Sequence, residues 1–269
     1  MKTRIGILGC GWLGLPLAAS FVKDGYDVYG TTTSKEKCAE LANKAINPFL
    51  IRLSEDGIDG SIANFLSKTT ILIVNVPPKL RGNNAENYLQ KIKLLHQAVK
   101  NSDVKKIIFV SSTSVYGDNR GEVTETTIPR PVTDSGKQLL ACEDLFRSDQ
   151  EVQTTIIRFG GLIGDDRHPV NFLSGKKGLS NGSAPINLIH QVDCIRIIKS
   201  IVKEAWWNEL FNAVYPYHPS KKDYYTQACL KRNLPIPDYM NDTSQFEKCV
   251  RSYRLITVKG FRFNTSITD

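Results

Sequence analysis

The sequence predicts an α/β fold, a doubly wound parallel sheet with a small C-terminal lobe. Three observations predict it. Short β-branched runs alternate with helical patterns up to about residue 160. Those runs are apolar almost throughout, as parallel strands covered on both faces are. A glycine-rich turn joins the first run to the first helix. In order, RIGILG (4–9) precedes a helix at 12–24, and YDVYG (26–30) one at 34–44. PFLIRL (48–53) precedes a helix at 59–67, and TILIVNV (70–76) one at 84–101. KIIFVS (106–111), a helix at 134–148 and TTIIRF (154–159) complete the series. Ser34 suits the N-cap of the second helix and Lys100 the last turn of the fourth.

Beyond residue 160 the rhythm changes. A glycine-rich stretch (160–183) leads to a short strand at 185–189, a helix at 191–204, the run LFNAVYP, a polar helix from about 219 and an irregular tail. The expected organisation is a domain over 1–160 and a smaller lobe over 161–269, interleaved with the first rather than independent of it.

The chain has 269 residues, 41% hydrophobic and 23% charged, an ordinary globular balance. Its net charge of +8 suits a protein that handles anions. The lysine pairs 105–106, 176–177 and 221–222 are short and scattered, without the long basic run of a nucleic-acid binder. The six cysteines form no Cys-x-x-Cys pair and no metal-ligand spacing with the four histidines. They read as reduced and mostly buried. No apolar run is long enough to span a membrane, and the N-terminus shows no signal-peptide core. The expectation is a cytoplasmic protein without metal, membrane or nucleic-acid partner.

Gly9-Cys10-Gly11-Trp12-Leu13-Gly14 is a G-x-G-x-x-G between a strand and a helix, in the first βαβ unit. In a Rossmann fold, Gly9 permits the tight turn, Gly11 the approach of a pyrophosphate, and Gly14 close helix–strand packing. Trp12 and Leu13 then present helix N-terminal amides to the phosphates. The alternative is an ordinary strand-to-helix turn. NAD-selective folds carry an acid at the end of the second strand. Thr32 stands there, and Thr33, Ser34 and Lys35 could take a 2′-phosphate, so NADP is favoured with NAD as the alternative. Asn75 and Val76, before Pro77-Pro78, would expose backbone to the cofactor ribose; a simple strand stop is the alternative.

Residues 106–117, KIIFVSSTSVYG, deliver a hydroxyl-rich turn on the fifth strand. This segment resembles the SSxxVYG strand of the extended short-chain dehydrogenase/reductase (SDR) family, the NAD-dependent epimerase/dehydratase type. The chain as a whole is similar to the atypical YeeZ-like group within it. The resemblance implies that Ser112 is the catalytic serine and that a Tyr-x-x-x-Lys pair follows. Here that pair reads Thr133-Asp-Ser-Gly-Lys137. Lys137 would hold the nicotinamide ribose, but a threonine hydroxyl is far too weak an acid to replace a phenol. Thr133 also reads as a helix N-cap. Tyr116 resembles the VYG tyrosine, expected near the substrate, and is a poor substitute acid. YeeZ-like proteins tend to carry an arginine where Thr33 stands.

Ile157 to Pro169 is similar to the family's R-x-x-x-I-Y-G-P-G-R-H-P stretch. That implies Phe159 near the nicotinamide and Arg167 and His168 facing the substrate. The resemblance implies that His190 and Asp193 support the pocket wall through hydrogen bonds, and Tyr215, His218, Tyr224 and Tyr225 are expected to pack the lobe against the sheet. Two functions follow as expectations. One is an NADP-dependent epimerase, dehydratase or reductase acting on a nucleoside-diphosphate sugar or similar small molecule, using Ser112 and Lys137. The other is a dinucleotide-binding redox sensor or partner-binding module. Family relatives often dimerise through helices corresponding to 84–101 and 134–148.

Overall fold

The computed structural model describes residues 3–78, 86–117, 119–240 and 248–268. The first residues of the helix expected at 84–101 lie outside them. The chain begins with β1 (Arg4–Leu8), α1 (Gly14–Lys23), β2 (Asp27–Thr32), α2 (Lys35–Asn43) and β3 (Asn47–Leu50). The run expected as one strand over 48–53 is divided: a small antiparallel hairpin of β4 (Arg52–Leu53) and β5 (Ile58–Asp59) follows β3. Then come α3 (Ile62–Ser67), β6 (Ile71–Val74), α4 (Tyr88–Lys100) and β7 (Lys106–Ser112), which ends in a 3₁₀ turn at Thr113–Tyr116. Next are β8 (Glu122–Val123), α5 (Asp134–Ser148) and β9 (Gln153–Phe159). The remainder holds β10 (Gly161–Ile163), α6 (Val170–Leu173), β11 (Leu188–His190), α7 (Gln191–Lys203), β12 (Leu210–Ala213), α8 (Lys221–Lys231) and β13 (Cys249–Val250).

Seven parallel strands form the central sheet in the order β12-β9-β7-β6-β1-β2-β3. The order reverses direction at β1, which has β2 on one side and β6 on the other. In a doubly wound sheet this reversal opens a crevice beyond the strands' carboxyl ends. The last strand is unexpected. Leu210–Ala213 comes from the C-terminal region yet pairs with Ile156–Phe159, so part of that region completes the main sheet.

Local signals set the helix ends. The Ser34 and Asn87 side chains accept from the Lys37 and Gln90 amides, capping α2 and α4. Gly25, at φ +85°, turns the chain out of α1 toward β2.

Each sheet face carries its own core. Ile5, Ile7, Leu17, Phe21, Ile198 and Phe211 pack on the α1 and α7 side. Leu8, Leu72, Ile92, Phe109, Leu139 and Phe146 pack on the α4 and α5 side. Each such side chain contributes roughly 1.5–3 kcal/mol by leaving water. A third cluster, with Ile163, Val170, Ile186, Tyr224 and Tyr225, holds the lobe together. Cys10, Cys142, Cys194 and Cys229 are buried thiols, and all six cysteines are unbridged. No helix among the described residues is long and apolar enough to cross a membrane.

Candidate cofactor-binding and active site

The glycine-rich turn, the Asn75-Val76 segment, Ser112 and Phe159 all leave one edge of the sheet. Leu8, Val74, Phe109 and Ile156 are register partners along β1, β6, β7 and β9, and each segment leaves its strand beyond them.

The three glycines answer to different neighbours. Gly9 has φ +102°, and a Cβ there would lie 2.7 Å from the Asn75 carbonyl oxygen. A Cβ on Gly14 would stand 2.1 Å from the Gly9 oxygen, so helix and turn touch directly. At Gly11 a Cβ would meet nothing within 4 Å. No protein contact therefore demands glycine at 11; the open space before it is what a pyrophosphate approaching the backbone requires. The residues present thus fit a dinucleotide. Three hydrogen bonds brace the turn. The Gly9 amide donates to Thr31 Oγ1 (2.9 Å), the Cys10 amide to the Thr31 carbonyl (2.9 Å), and Asn75 Nδ2 to the Gly9 carbonyl (3.1 Å). Asn75 is therefore a brace for the glycine turn, a role its place in the sequence did not disclose. Burial pushes the Cys10 thiol up to about 12, making it a neutral wall.

A groove of about 570 Å³ runs from this turn across the ends of β2 and β6. Of the expected cofactor residues, Gly9, Gly11, Thr32, Thr33, Ser34, Asn75 and Val76 line it. Trp12, Leu13, Gly14, Lys35, Lys137 and Phe159 do not; Leu13 and Phe159 are buried in the core instead. Lys35 is exposed on α2, while Lys37, one face further round the same turn, lines the groove together with Arg52. Helical spacing carries the signal for Lys37; Arg52 has none, because it depends on the chain bending after β3. Thr32 is buried, and its Oγ1 accepts from the Ser34 amide at 3.2 Å. Ser34 Oγ accepts from the Lys37 amide and donates to Glu36 at 2.5 Å. Among the described residues the carboxylate lining the groove is Glu86, paired with Lys91.

The hydroxyl-rich turn is organised differently. Ser112 Oγ, half-buried at the end of β7, accepts from the Ser114 amide at 3.1 Å, and no acceptor for its own proton is found among the described residues. Beneath it lies a polar network that the sequence did not reveal. Arg158 Nε donates to both Glu143 oxygens (3.0 and 3.1 Å), and its Nη2 reaches Oε2 at 2.5 Å. Ser111 Oγ donates to Glu143 Oε1 at 2.5 Å. The Arg158 guanidinium lies 4.8 Å from the centre of the Tyr116 ring.

Tyr116, expected at the substrate, is fully buried in this network instead. Its hydroxyl lies 2.8 Å from Asn212 Oδ1 and 3.0 Å from the Thr124 carbonyl. Burial pushes the phenol up, against the attraction of Arg158, so it is a weaker acid than in water. Thr133 is exposed, and its Oγ1 caps α5 by accepting from the Gly136 amide at 3.1 Å. Lys137, one turn along, is also exposed.

The Arg167-His168 pair divides. His168, also expected at the substrate, is buried in the lobe. Its Nε2 pairs with Tyr224 Oη at 2.8 Å, and its Nδ1 accepts from the Val170 amide at 3.2 Å. Burial, aided by nearby Arg232, pushes the imidazole down to about 4. His168 lines a separate cavity of about 400 Å³ beside α8. Arg167 is exposed and stacks on the Trp12 ring, 5.0 Å from its centre. His190 caps α7 through its Nδ1, and buried Asp193 accepts from the Asn264 and Thr265 amides.

Comparison with known proteins places these features in context. The family described as NAD(P)H-binding matches residues 9–190. Protein YeeZ of Escherichia coli (strain K12) is 31% identical over 262 residues, covering 97% of this chain and 95% of its own. The UDP-glucuronic acid 4-epimerase of Bacillus cereus, solved in complex with NAD, superposes with a TM-score of 0.80 at 18% identity. The match covers 99% of this chain and 93% of that one. MoeE5, solved in complex with UDP-glucose and NAD, superposes with a TM-score of 0.79 at 17% identity, covering 98% and 95%.

Proposed function

The chain belongs to the NAD(P)H-binding family, and on that premise we propose that it is an NADP(H)-dependent protein of the epimerase, dehydratase and reductase type. Its substrate in this reading is a nucleoside-diphosphate sugar or a similar small polar molecule. The observation that carries the reading is the open space before Gly11, framed by two glycines that the protein's own packing requires.

The choice of NADP over NAD rests on the far end of the groove. No acid ends β2, and Thr33, Lys37 and Arg52 gather where a 2′-phosphate would lie. A guanidinium and an ammonium beside a hydroxyl suit that dianion. Nucleotide sugars as the substrate class are supported by the structures bound to UDP-glucose and UDP-glucuronic acid that share this fold.

A bound dinucleotide would supply the hydride donor or acceptor. In this reading Ser112 donates a hydrogen bond that polarises a substrate oxygen, and Lys137 holds the nicotinamide ribose. The position of the usual phenol is taken by a capping threonine, so the proton is exchanged with the substrate itself or with solvent. We further propose that residues 161–269 act as the substrate lobe around the Rossmann part, 1–160. Pairing of two copies would use the adjacent helices α4 and α5. The second reading, a binder without chemistry, draws on the same fact that neither Tyr116 nor Thr133 offers an available acid.

A panel of UDP-sugars incubated with the protein and NADPH or NADP, with products separated and identified, distinguishes these readings. Product formation that is lost in Ser112→Ala establishes the enzyme. Cofactor binding without turnover on any sugar establishes the binder.

A further inference from the structure

Trp12 is the residue through which the C-terminal region grips the glycine-rich turn. Three contacts converge on it. Its indole Nε1 donates to Asp166 Oδ1 at 2.7 Å. Its carbonyl accepts from Gln191 Nε2, at the start of α7, also at 2.7 Å. Its ring carries the Arg167 guanidinium. The partner segment is a closed turn: the Gly164 amide donates to the Arg167 carbonyl (2.9 Å) and the Arg167 amide to the Gly164 carbonyl (3.1 Å). Gly164 has to be glycine for this docking, since a Cβ there would stand 2.8 Å from Trp12 Cζ2.

The guanidinium of Arg167 is held by this stacking, and no hydrogen bond or ion pair to it is found among the described residues. Its donors are therefore uncommitted, beside the ring of the residue that follows Gly11. Asp166 spends Oδ1 on the indole N–H, and no ion pair between its carboxylate and Arg167 is found among the described residues. A planar cation stacked on an aromatic ring keeps its fork of donors for an anion.

We propose that Arg167 is a cofactor-phosphate residue rather than a substrate residue. It closes over the dinucleotide pyrophosphate from the side opposite the Gly11 amides, on a turn supplied by the lobe. The inference rests on the dinucleotide reading above and deepens it by naming a further residue for the cofactor's phosphates.

Titration of NADPH, followed by cofactor fluorescence, into native protein, Arg167→Ala and Arg167→Lys tests it, with 2′-AMP as a probe lacking any pyrophosphate. Removing a charge-assisted hydrogen bond predicts about a tenfold or larger loss of NADPH affinity in Arg167→Ala. An intermediate loss is expected in Arg167→Lys, which keeps charge without the planar fork. 2′-AMP should bind all three proteins equally. Trp12→Leu should reproduce most of the loss, and combining it with Arg167→Ala should add little. NADPH affinity in Arg167→Ala within twofold of native, or equal losses for NADPH and 2′-AMP, overturns the assignment while leaving the dinucleotide reading intact. Native protein that binds neither NADPH nor NADH overturns both.

Discussion

The glycine-rich turn after β1 and the hydroxyl-rich turn after β7 leave the same edge of the same sheet, and they treat their polar groups in opposite ways. At the first, the backbone before Gly11 faces open space, and Thr33, Lys37 and Arg52 line a groove whose carboxylate, Glu86, is paired with Lys91. At the second, the candidate acids are spent on the protein itself. Tyr116 is sealed against Asn212, and Thr133 caps a helix. Ser112 Oγ, at the end of β7, accepts from the Ser114 amide. The contrast teaches that holding a dinucleotide and moving a proton are separable properties of one fold. The first needs backbone shape and charge, and the second needs a titratable group in one place.

The largest expected effect breaks the second region from within. Glu143→Gln leaves Arg158, 2% exposed, without its counter-charge. Loss of one partner of a buried pair costs about 3–5 kcal/mol. Denaturant unfolding should show that loss, and should show it without a matching change in NADPH affinity, since the pair lies beneath β7 rather than in the groove.

A smaller effect sharpens the first region. Thr32→Asp places a carboxylate where a 2′-phosphate would lie, and the new side chain can still accept from the Ser34 amide. Like-charge repulsion near a surface is on the order of 1–4 kcal/mol, so NADPH should weaken about tenfold or more while NADH is spared. Comparing the two dissociation constants in native and variant proteins checks this. A native protein that binds both cofactors equally contradicts the selector role of the β2 end.

His168 gives the C-terminal region a pH signature. Its folded imidazole is pushed down to about 4 from the ordinary 6.5. Between these values the unfolded chain binds a proton that the folded chain refuses. Its contribution to stability is therefore complete above about 6.5 and declines as pH falls toward 4. Thermal midpoints measured across that window should drop in the native protein and drop less in His168→Gln.

The smallest effect concerns Thr133. Removing an N-cap hydroxyl costs roughly 1 kcal/mol, so Thr133→Val should lower the thermal midpoint slightly. Any turnover of native protein should survive it. Turnover lost without loss of stability would restore Thr133 to the chemistry.

Much of this was legible in the sequence, and what was not has a physical reason. The βαβ rhythm and the three glycines announce the sheet and its crevice, because strand burial and turn geometry leave local patterns. The Ser34 and Thr133 caps are local too. Long-range contacts are not. Nothing near Arg158 in the chain points to Glu143, and nothing near Trp12 points to Arg167, because each pair is joined only by folding. The seventh strand, Leu210–Ala213, follows a change of rhythm that reads as a separate lobe, yet it pairs with β9. Lys37 and Arg52 were missed because a groove at a sheet edge collects residues from several elements, while a motif describes one.

The account stands on the space before Gly11. The NADPH dissociation constant of native protein against Gly11→Val, with thermal midpoints measured alongside, tests it most directly. A Cβ at 11 meets nothing within 4 Å in the protein, so the account predicts an unchanged midpoint and NADPH affinity reduced below detection. Equal NADPH affinity in the two proteins would contradict it, because the pyrophosphate would then lie elsewhere.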